Sequence, residues 1–396
     1  MSTLITNDIE DVVSTDDTIK VYKAFEDMGL NEEILNGIYT NGFEKPSAIQ
    51  MKAIVPFFSG RDLIAQSQSG TGKTATFVIG MLQQLDMSDK RLQSIILAPT
   101  RELAKQITSV TEALSKYTGF TIKTVIGGMR RSKYSYDYDD EYQIMVGTPG
   151  RISDMIQKKL VDTRHLKVLV MDEADEMLSQ GFRDQMVKIL NGIPKETQIG
   201  LFSATIPEDM MKITKKFMNN PIEILVKTSD VTLDGIKQYY VVIESEDDKF
   251  DCLCELYSTI RITQSIIYVN HKSTVNWLCK NLQERDFTVS SISGGMSTDE
   301  RNEIMRSFRS GETRILISTD LLSRGIDVQQ VSLVLNYDIP FDKETYVHRI
   351  GRSGRYGRKG VAINFVSQKD YKKFKAIVDH YETTIDELPS DIGSLI

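Results

Sequence analysis

The first half of the chain is organised around Ala65-Gln66-Ser67-Gln68-Ser69-Gly70-Thr71-Gly72-Lys73-Thr74. A short apolar run, Leu63 to Ala65, leads into these residues, and apolar residues at helical spacing follow them. This order predicts a strand, a glycine-bearing loop and the start of a helix, which is the context that a phosphate-binding loop needs. The alternative interpretation is a glycine-rich turn that only connects a strand to a helix.

The predicted loop offers several groups that bind the phosphates of a nucleotide. Glycines let the backbone turn tightly so that successive N–H groups point at phosphate oxygens, and the helix N-terminus adds its dipole. We expect Lys73 to reach the outer phosphates and the Thr74 hydroxyl to ligate Mg2+. Ser67 stands where the strict pattern G-x-x-x-x-G-K-T has glycine. The predicted binding residues are Ser69, Gly70, Thr71, Gly72, Lys73 and Thr74.

Upstream of this loop, residues 42–50 contain an aromatic and an amide side chain that suit an adenine base. Gln50 offers both a donor and an acceptor, which is the pairing that the adenine edge presents. Phe43 is suited to stack on the base. The alternative is a loop capped by Pro46-Ser47 with Phe43 in the core.

Length and composition indicate a soluble protein of two domains, or three at most, since the chain has 396 residues, 40% of them apolar and 26% charged. No apolar run approaches the roughly 18 residues of a membrane span. Residues 1–17 lack the basic and apolar regions of a secretion signal. Cys252, Cys254 and Cys279 are odd in number and have no C-x-x-C spacing, which argues against a disulfide framework or a zinc site. We therefore expect these cysteines to be small core residues of a protein in a reducing compartment, the cytoplasm.

The net charge is −7 and the isoelectric point is about 5.4. Bulk charge therefore gives no reason to expect nucleic-acid binding. If the chain binds RNA, it must do so through a local groove.

A repeated pattern of strands followed by polar clusters predicts the fold. Short apolar runs lead directly into clusters that contain glycine, proline or polar residues, and helical patterns separate the runs. Strands that alternate with helices predict a parallel, doubly wound sheet, and such sheets bind ligands at the carboxyl ends of their strands. The clusters in the first half are 99–103, 127–128, 147–151, 172–175 and 203–205.

The same pattern restarts in the second half, where Asn270, Ser318-Thr319-Asp320 and Asn336-Tyr337-Asp338 follow apolar runs. No second phosphate loop occurs there. We therefore predict an α/β fold with two doubly wound parallel-sheet domains joined by a short flexible linker. The predicted segments are a disordered arm over 1–20, a first domain over 21–227, a linker over 228–235 and a second domain over 236–396.

Charged residues in the two halves suggest a reaction at phosphate. Asp172 and Glu173 follow an apolar strand, and we assign Asp172 to the metal and Glu173 to the base that deprotonates water. Arg352 and Arg355 lie three residues apart beside glycines, which suits a fork that reaches phosphate oxygens. The alternative for the two carboxyl groups is a solvated acidic cluster, and the alternative for the two arginines is a basic surface patch.

Taken together and in this order, the motifs resemble the DEAD-box RNA helicases from Phe25 to the end of the second domain. The resemblance implies two RecA-like domains, ATP and Mg2+ as cofactors, and sequence-independent binding of single-stranded RNA. It also implies that short RNA duplexes are opened by local strand separation coupled to ATP hydrolysis.

The resemblance implies roles for further residues. Phe25 corresponds to the aromatic upstream of the adenine-reading motif, Gly325 and Asp327 to nucleotide-binding residues, and His348 to a catalytic residue. Ser203, Ala204 and Thr205 correspond to the motif that couples hydrolysis to strand separation. The implied RNA-binding residues are Pro99, Thr100, Arg101, Gly128, Thr148, Gly150, Arg151, Asn270, Arg301 and Thr319.

Finer features resemble the helicases of translation initiation, which implies a scaffold protein of translation initiation as a partner; we expect a monomer without membrane contact. The alternative is an ATP-dependent RNA clamp with slow turnover, as in an exon-junction complex. A DNA helicase is disfavoured by the RNA-type motif set.

Three features depart from the family pattern. Thr298 replaces the glutamine of Q-x-x-R, whose arginine is retained as Arg301, and Ser323 stands where alanine is common. Residues 130–142 are rich in Tyr and Asp. A solvated acidic loop is expected there, with stacking on RNA as the alternative.

Overall fold

The computed structural model describes residues 12–14, 19–68, 70–127, 141–179, 181–226, 236–260, 264–320, 331–353 and 360–389. The chain divides into two compact units, Met1–Lys227 and Thr228–Ile396. The predicted linker, 228–235, lies outside the described residues. Within the described residues, no helix is long and apolar enough to cross a membrane.

The described part of the first unit contains an eight-stranded sheet. Its strands are β1 (Val12–Ser14), β2 (Leu63–Gln66), β3 (Ser94–Leu97), β4 (Ile122–Val125), β5 (Ile144–Gly147), β6 (Val168–Asp172), β7 (Gln198–Ser203) and β8 (Ile222–Val226). Their order is β1-β8-β2-β7-β6-β3-β5-β4. Neighbouring strands are parallel except for the antiparallel pair of β1 with β8.

Helices connect these strands and cover the sheet. They are a 3-10 helix (Glu26–Met28), α1 (Glu32–Thr40), α2 (Ala48–Phe58), α3 (Lys73–Leu82), α4 (Arg101–Leu114), α5 (Pro149–Gln157), α6 (Ala174–Met177), α7 (Arg183–Asn191) and α8 (Glu208–Thr214). Successive residues of one strand enter different hydrophobic clusters: Ile96 lies in one, whereas Ile95 and Leu97 lie in the other. Both faces of the sheet are therefore buried, as a parallel sheet requires.

The second unit has a parallel sheet of the same kind. Its described strands are β9 (Ile236–Ile243), β10 (Gln264–Tyr268), β11 (Val289–Ile292), β12 (Ile315–Ser318), β13 (Val331–Asn336), β14 (Gly360–Ser367) and β15 (Asp386–Glu387), in the order β11-β12-β10-β13-β14-β9-β15. Its described helices are α9 (Asp248–Thr259), α10 (Lys272–Glu284), α11 (Thr298–Ser310), α12 (Lys343–Ile350) and α13 (Tyr371–Tyr381). The predicted fold class, two doubly wound parallel sheets, is confirmed.

One segment differs from the sequence prediction. Residues 1–20 were expected to be disordered, whereas Val12–Ser14 forms the edge strand β1 on β8. Two adjacent β-branched valines favour an extended backbone, and the edge of β8 supplies the unpaired N–H and C=O groups with which it pairs.

Candidate functional site

The strand order of the first unit places its polar clusters in a row along one edge of the sheet. Because parallel strands point the same way, the loops after β2, β7, β6, β3 and β5 all emerge at the carboxyl edge. The phosphate loop follows β2, the triplet 203–205 begins at the last residue of β7, and Asp172 ends β6. The clusters after β3 and β5, at 99–101 and 148–151, continue the row.

The phosphate loop turns sharply into α3. Gly70 and Gly72 have φ angles of 85° and 101°, in the region that favours glycine. The Lys73 ammonium is buried and donates to the carbonyl oxygens of Ser67 and of Gln68, the latter at 3.0 Å. Thr74 is half-buried in the first turn of α3. Lys73 thus points into the loop in which we predict that it binds phosphate.

Gln50 joins the predicted adenine motif to the phosphate loop. Its Oε1 accepts from the backbone N–H of Ser47 at 2.8 Å, at the start of α2, and its Nε2 donates to the Gly72 carbonyl at 3.4 Å. Phe43 is half-buried and packs against the core. Phe25 is fully buried in the same cluster, so a base would stack on it only after its neighbours moved.

Two buried carboxyl groups lie beside the loop. Asp172 and Glu173 are both buried, and the Glu173 N–H donates to Asp172 Oδ1 at 3.0 Å. Burial and the negative charge of Glu173 raise the pKa of Asp172, whereas the Lys73 ammonium lowers it. Glu173 has a left-handed backbone with φ of 50°, which is uncommon outside glycine and is a feature of strained functional positions.

The triplet Ser203, Ala204 and Thr205 contacts both the phosphate loop and the acidic cluster. The Ser203 carbonyl accepts from the Ser67 N–H at 3.1 Å, and the Ala204 carbonyl accepts from Gln66 Nε2 at 3.3 Å. The Thr205 hydroxyl donates to Asp175 Oδ2 at 2.5 Å. The triplet therefore connects the phosphate loop to the acidic cluster through hydrogen bonds.

The predicted RNA residues of the first unit lie at helix starts on the same edge. Thr100 caps α4 by accepting from the Leu103 N–H at 3.2 Å, and Thr148 is the N-cap residue of α5. Arg151 forms an ion pair with Asp154 at 3.0 Å. A Cβ atom on Gly127 would lie 3.4 Å from Arg101 Nη2, so the glycine lets this guanidinium approach the backbone. Pro99 and Gly150 complete the described members.

In the second unit, a residue that the sequence analysis did not assign connects the predicted ones. Arg349 lies between His348 and Arg352 in the motif at the end of α12 and is fully buried. Its Nη2 donates to Asn270 Oδ1 at 2.9 Å, and its Nη1 to the Asp338 carbonyl at 2.7 Å. The position of Arg349 inside the basic motif could have indicated a functional role. Only the tertiary structure shows that its side chain is buried within the second unit.

The structure also describes other predicted residues of the second unit. Thr319 follows β12, next to Asp320. His348 and Arg352 are buried, and Arg352 Nε donates to the His348 carbonyl at 3.1 Å. Arg301 lies half-buried on α11. The predicted site residues Ser69, Gly128, Gly325, Asp327 and Arg355 lie outside the described residues, as do Ser323, most of the segment 130–142 and the side chain of Thr298.

Comparisons with known proteins agree with this arrangement. Residues 47–213 match the family DEAD/DEAH box helicase, and residues 248–357 match the helicase conserved C-terminal domain. Eukaryotic initiation factor 4A of Caenorhabditis elegans is 50% identical over 393 residues, which cover 98% of this chain and 98% of that protein. The ATP-dependent RNA helicase eIF4A of Candida albicans is 53% identical over 375 residues, 95% of this chain and 94% of that protein.

A solved structure is similar over nearly the whole chain. S. cerevisiae Dbp5 bound to RNA and ADP BeF3 has a TM-score of 0.88 and 40% sequence identity, and the match covers 93% of this chain and 96% of that one.

Proposed function

The chain belongs to the DEAD/DEAH box helicase family, and on that premise we propose that it is an ATP-dependent RNA helicase of translation initiation. The observation that carries this proposal is the path of contacts along one sheet edge. It leads from the phosphate loop through Ser203 and Thr205 to Asp175 and the adjacent carboxyl groups. This path connects the groups that would bind the nucleotide, and it lies on the same sheet edge as the predicted RNA residues.

The residues present fit a nucleotide with Mg2+. The donor set consists of a buried carboxyl group, Asp172, and the hydroxyl of Thr74 at the start of α3, both oxygen ligands of the kind that Mg2+ prefers. Burial and the charge of Glu173 raise the pKa of Asp172 by more than Lys73 and the Glu173 N–H lower it, so a bound cation would stabilise its carboxylate form. When bound, Mg2+ supplies positive charge that offsets the negative charge of the phosphates.

The protein's own groups then have distinct tasks. Lys73 binds the outer phosphates after exchanging its loop carbonyl partners for phosphate oxygens. Glu173 orients a water molecule and accepts its proton. Arg352 and Arg355 supply positive charge to the phosphoryl group, and arginine fingers of this kind raise rates by about 10³ to 10⁵.

RNA binding is proposed to use the strand-end loops, with contacts to sugar and phosphate from backbone N–H groups, hydroxyls, Arg101 and Arg151. Such contacts hold a strand without selecting its sequence. Because these contacts need few positive charges, a protein with a net charge of −7 can make them. Since few ion pairs contribute, the affinity for RNA should depend only weakly on salt concentration. ATP and RNA should each raise the affinity for the other. By relation to the initiation factors, we propose a monomer that works in the cytoplasm with a scaffold protein.

The test is steady-state ATP hydrolysis with and without single-stranded RNA, in the wild type and in Glu173→Gln. We expect strong stimulation by RNA in the wild type and loss of turnover in the variant, which should still bind RNA in the presence of ATP. Normal turnover by Glu173→Gln would remove Glu173 from its role. Equal stimulation by DNA of the same sequence would contradict an RNA-specific enzyme.

Turnover near background with tight ATP-dependent RNA binding in the wild type would instead support a clamp. The comparisons do not favour this alternative, since the related proteins are named as helicases and an initiation factor.

A further inference from the structure

Phe341 is an exposed aromatic residue at the carboxyl edge of the second sheet. With 63% of its surface exposed, it is the most exposed large hydrophobic side chain among the described residues. It lies in the loop between β13 and α12, after Pro340. An isolated exposed apolar residue needs no explanation by itself, but the neighbours of Phe341 give it a defined setting.

The loop that carries Phe341 is fixed to Asn270, one of the predicted RNA-binding residues. Asn270 Nδ2 donates to the Ile339 carbonyl at 2.9 Å, and its backbone N–H donates to Asp338 Oδ2 at 2.9 Å. His271, which follows Asn270, meets the Phe341 ring edge-on, with 6.1 Å between the ring centroids. Phe341 therefore has a defined position beside the end of β10.

The surroundings of the ring are cationic and polar. Lys373 Nζ lies over the ring, 5.0 Å from its centroid. Because 63% of the residue is exposed, a second planar group can still reach the ring. The carboxylates of this loop and of the start of α13 are engaged with the protein. Asp338 Oδ2 accepts from the Asn270 N–H, Asp342 Oδ1 accepts from the Thr345 N–H at 2.7 Å, and the buried Asp370 accepts from Lys373 Nζ at 3.5 Å.

We propose that Phe341 is a stacking position for one base of single-stranded RNA, next to the strand-binding residue Asn270; this rests on the proposed function. An exposed aromatic ring beside a cation is the combination with which proteins bind single strands, because the ring stacks on the base and the cation attracts the backbone. A surface that docks an apolar protein segment would need a contiguous apolar patch, whereas this ring is bordered by His271 and Lys373.

The stacking position adds a base contact to a site that otherwise holds sugar and phosphate. Every base has a stacking face, so the contact is compatible with sequence-independent binding, although large purine rings should be favoured.

The test compares Phe341→Ala with the wild type in binding a fluorescent 12-nucleotide RNA of adenines in the presence of ADP and beryllium fluoride. We expect the affinity of the variant to fall about five- to tenfold. Phe341→Trp should retain the wild-type affinity. Trp277→Ala removes another exposed aromatic of the same unit, on α10 against Phe250, and should leave RNA affinity unchanged.

An RNA series with one abasic nucleotide at each position separates stacking from a structural effect. At the position that meets Phe341, the missing base should weaken wild-type binding, and Phe341→Ala should cause no further loss there. Equal losses on every abasic RNA, or unchanged affinity of Phe341→Ala, would overturn the stacking assignment and leave a protein partner as the occupant. If the wild type bound no RNA with nucleotide, the proposed function itself would fall together with this inference.

Discussion

Arg349 holds both carboxylate oxygens of Asp320: its Nε donates to Oδ1 at 2.5 Å and its Nη2 to Oδ2 at 2.9 Å. The same guanidinium also bonds to Asn270 Oδ1, at 2.9 Å, and to Asn336 Oδ1, at 3.2 Å. It thereby ties the ends of three strands, β10, β12 and β13, to the helix that carries His348. One buried side chain thus fixes the positions of residues predicted to contact RNA relative to residues predicted to act on phosphate.

Replacing Arg349 with lysine should destabilise the protein and weaken RNA binding. A lysine ammonium cannot reproduce the planar fork, so at least two of the acceptors lose their donor. Breaking a buried ion pair costs about 3–5 kcal/mol; because Asp320 is partly exposed, we expect about 2–3 kcal/mol in denaturant unfolding. RNA affinity with nucleotide should fall as Asn270 loses its support.

Arg306→Lys is the matched control, since Arg306 forms an exposed pair with Glu303 at 2.5 Å. Its stability should stay within about 0.5 kcal/mol of the wild type. If Arg349→Lys unfolded at the same denaturant concentration as this control, the network would have no structural importance.

Gly72→Ala should weaken nucleotide binding. Its φ of 101° disfavours any side chain, and a Cβ atom would lie only 2.7 Å from Gln50 Nε2. The backbone strain costs about 1–3 kcal/mol, and displacement of the Gln50 amide should disturb the loop further. We expect at least tenfold weaker binding of a fluorescent ATP analogue.

Gly311→Ala separates the effect of backbone strain from the effect of the contact with Gln50. Gly311 also has a positive φ, 80°, but a Cβ atom there would have no neighbour within 4 Å. It should lower stability through the same backbone strain while nucleotide affinity stays normal. Equal nucleotide affinity in the two variants would show that contact with Gln50 does not shape the loop.

Thr205→Val should separate hydrolysis from strand separation. Valine has nearly the shape of threonine but cannot donate to Asp175 Oδ2. A hydrogen bond to a charged group contributes about 1.5–3 kcal/mol, so duplex unwinding should fall about tenfold or more while RNA-stimulated ATP hydrolysis falls less. Thr214→Val, which removes a hydroxyl bonded to the Met211 carbonyl at 2.9 Å, should unwind normally. Parallel losses of hydrolysis and unwinding in Thr205→Val would contradict a coupling role.

Glu246 should stabilise the second unit in a pH-dependent way. Burial raises the pKa of Glu246, but hydrogen bonds from Lys369, Ser367 and Lys249 outweigh it and lower the pKa from 4.5 to about 2. A lowered folded-state pKa stabilises the protein above pH 4.5, and this stability is lost as the pH falls towards 2. Because the side chain is 44% exposed, water screens the interaction, and we expect about 1 kcal/mol.

Denaturant unfolding of Glu246→Gln and the wild type between pH 7 and pH 3 measures this contribution. The difference between them should be largest at neutral pH and shrink below pH 4.5. Glu284→Gln, which removes an exposed partner of Lys280 at 3.8 Å, should show no such dependence. A constant difference across the pH range would assign the effect of Glu246 to packing.

Local patterns were sufficient to predict the phosphate loop and most of the parallel strands. The apolar runs at Leu63, Ile95 and Val168 have the length of a strand, and a polar cluster follows each of them directly. Both features can be recognised from residues that are adjacent in the sequence. The edge strand β1 and the strands β8, β9, β11 and β15 were not predicted. β11 has the sequence Val-Ser-Ser-Ile, whose inner serines weaken the apolar signal, and its pairing with β12 provides the missing support.

The sequence by itself determined the chemistry at each strand end, because a glycine-bearing loop or an acidic pair depends on residues a few positions apart. Only the tertiary structure decided which of these ends are neighbours, since strand order results from packing between segments far apart in the chain. That order places Ser203 against the phosphate loop and Thr205 against Asp175. It also buries Phe25 and turns Arg349 inward, because burial is set by what packs on a side chain and not by its local sequence.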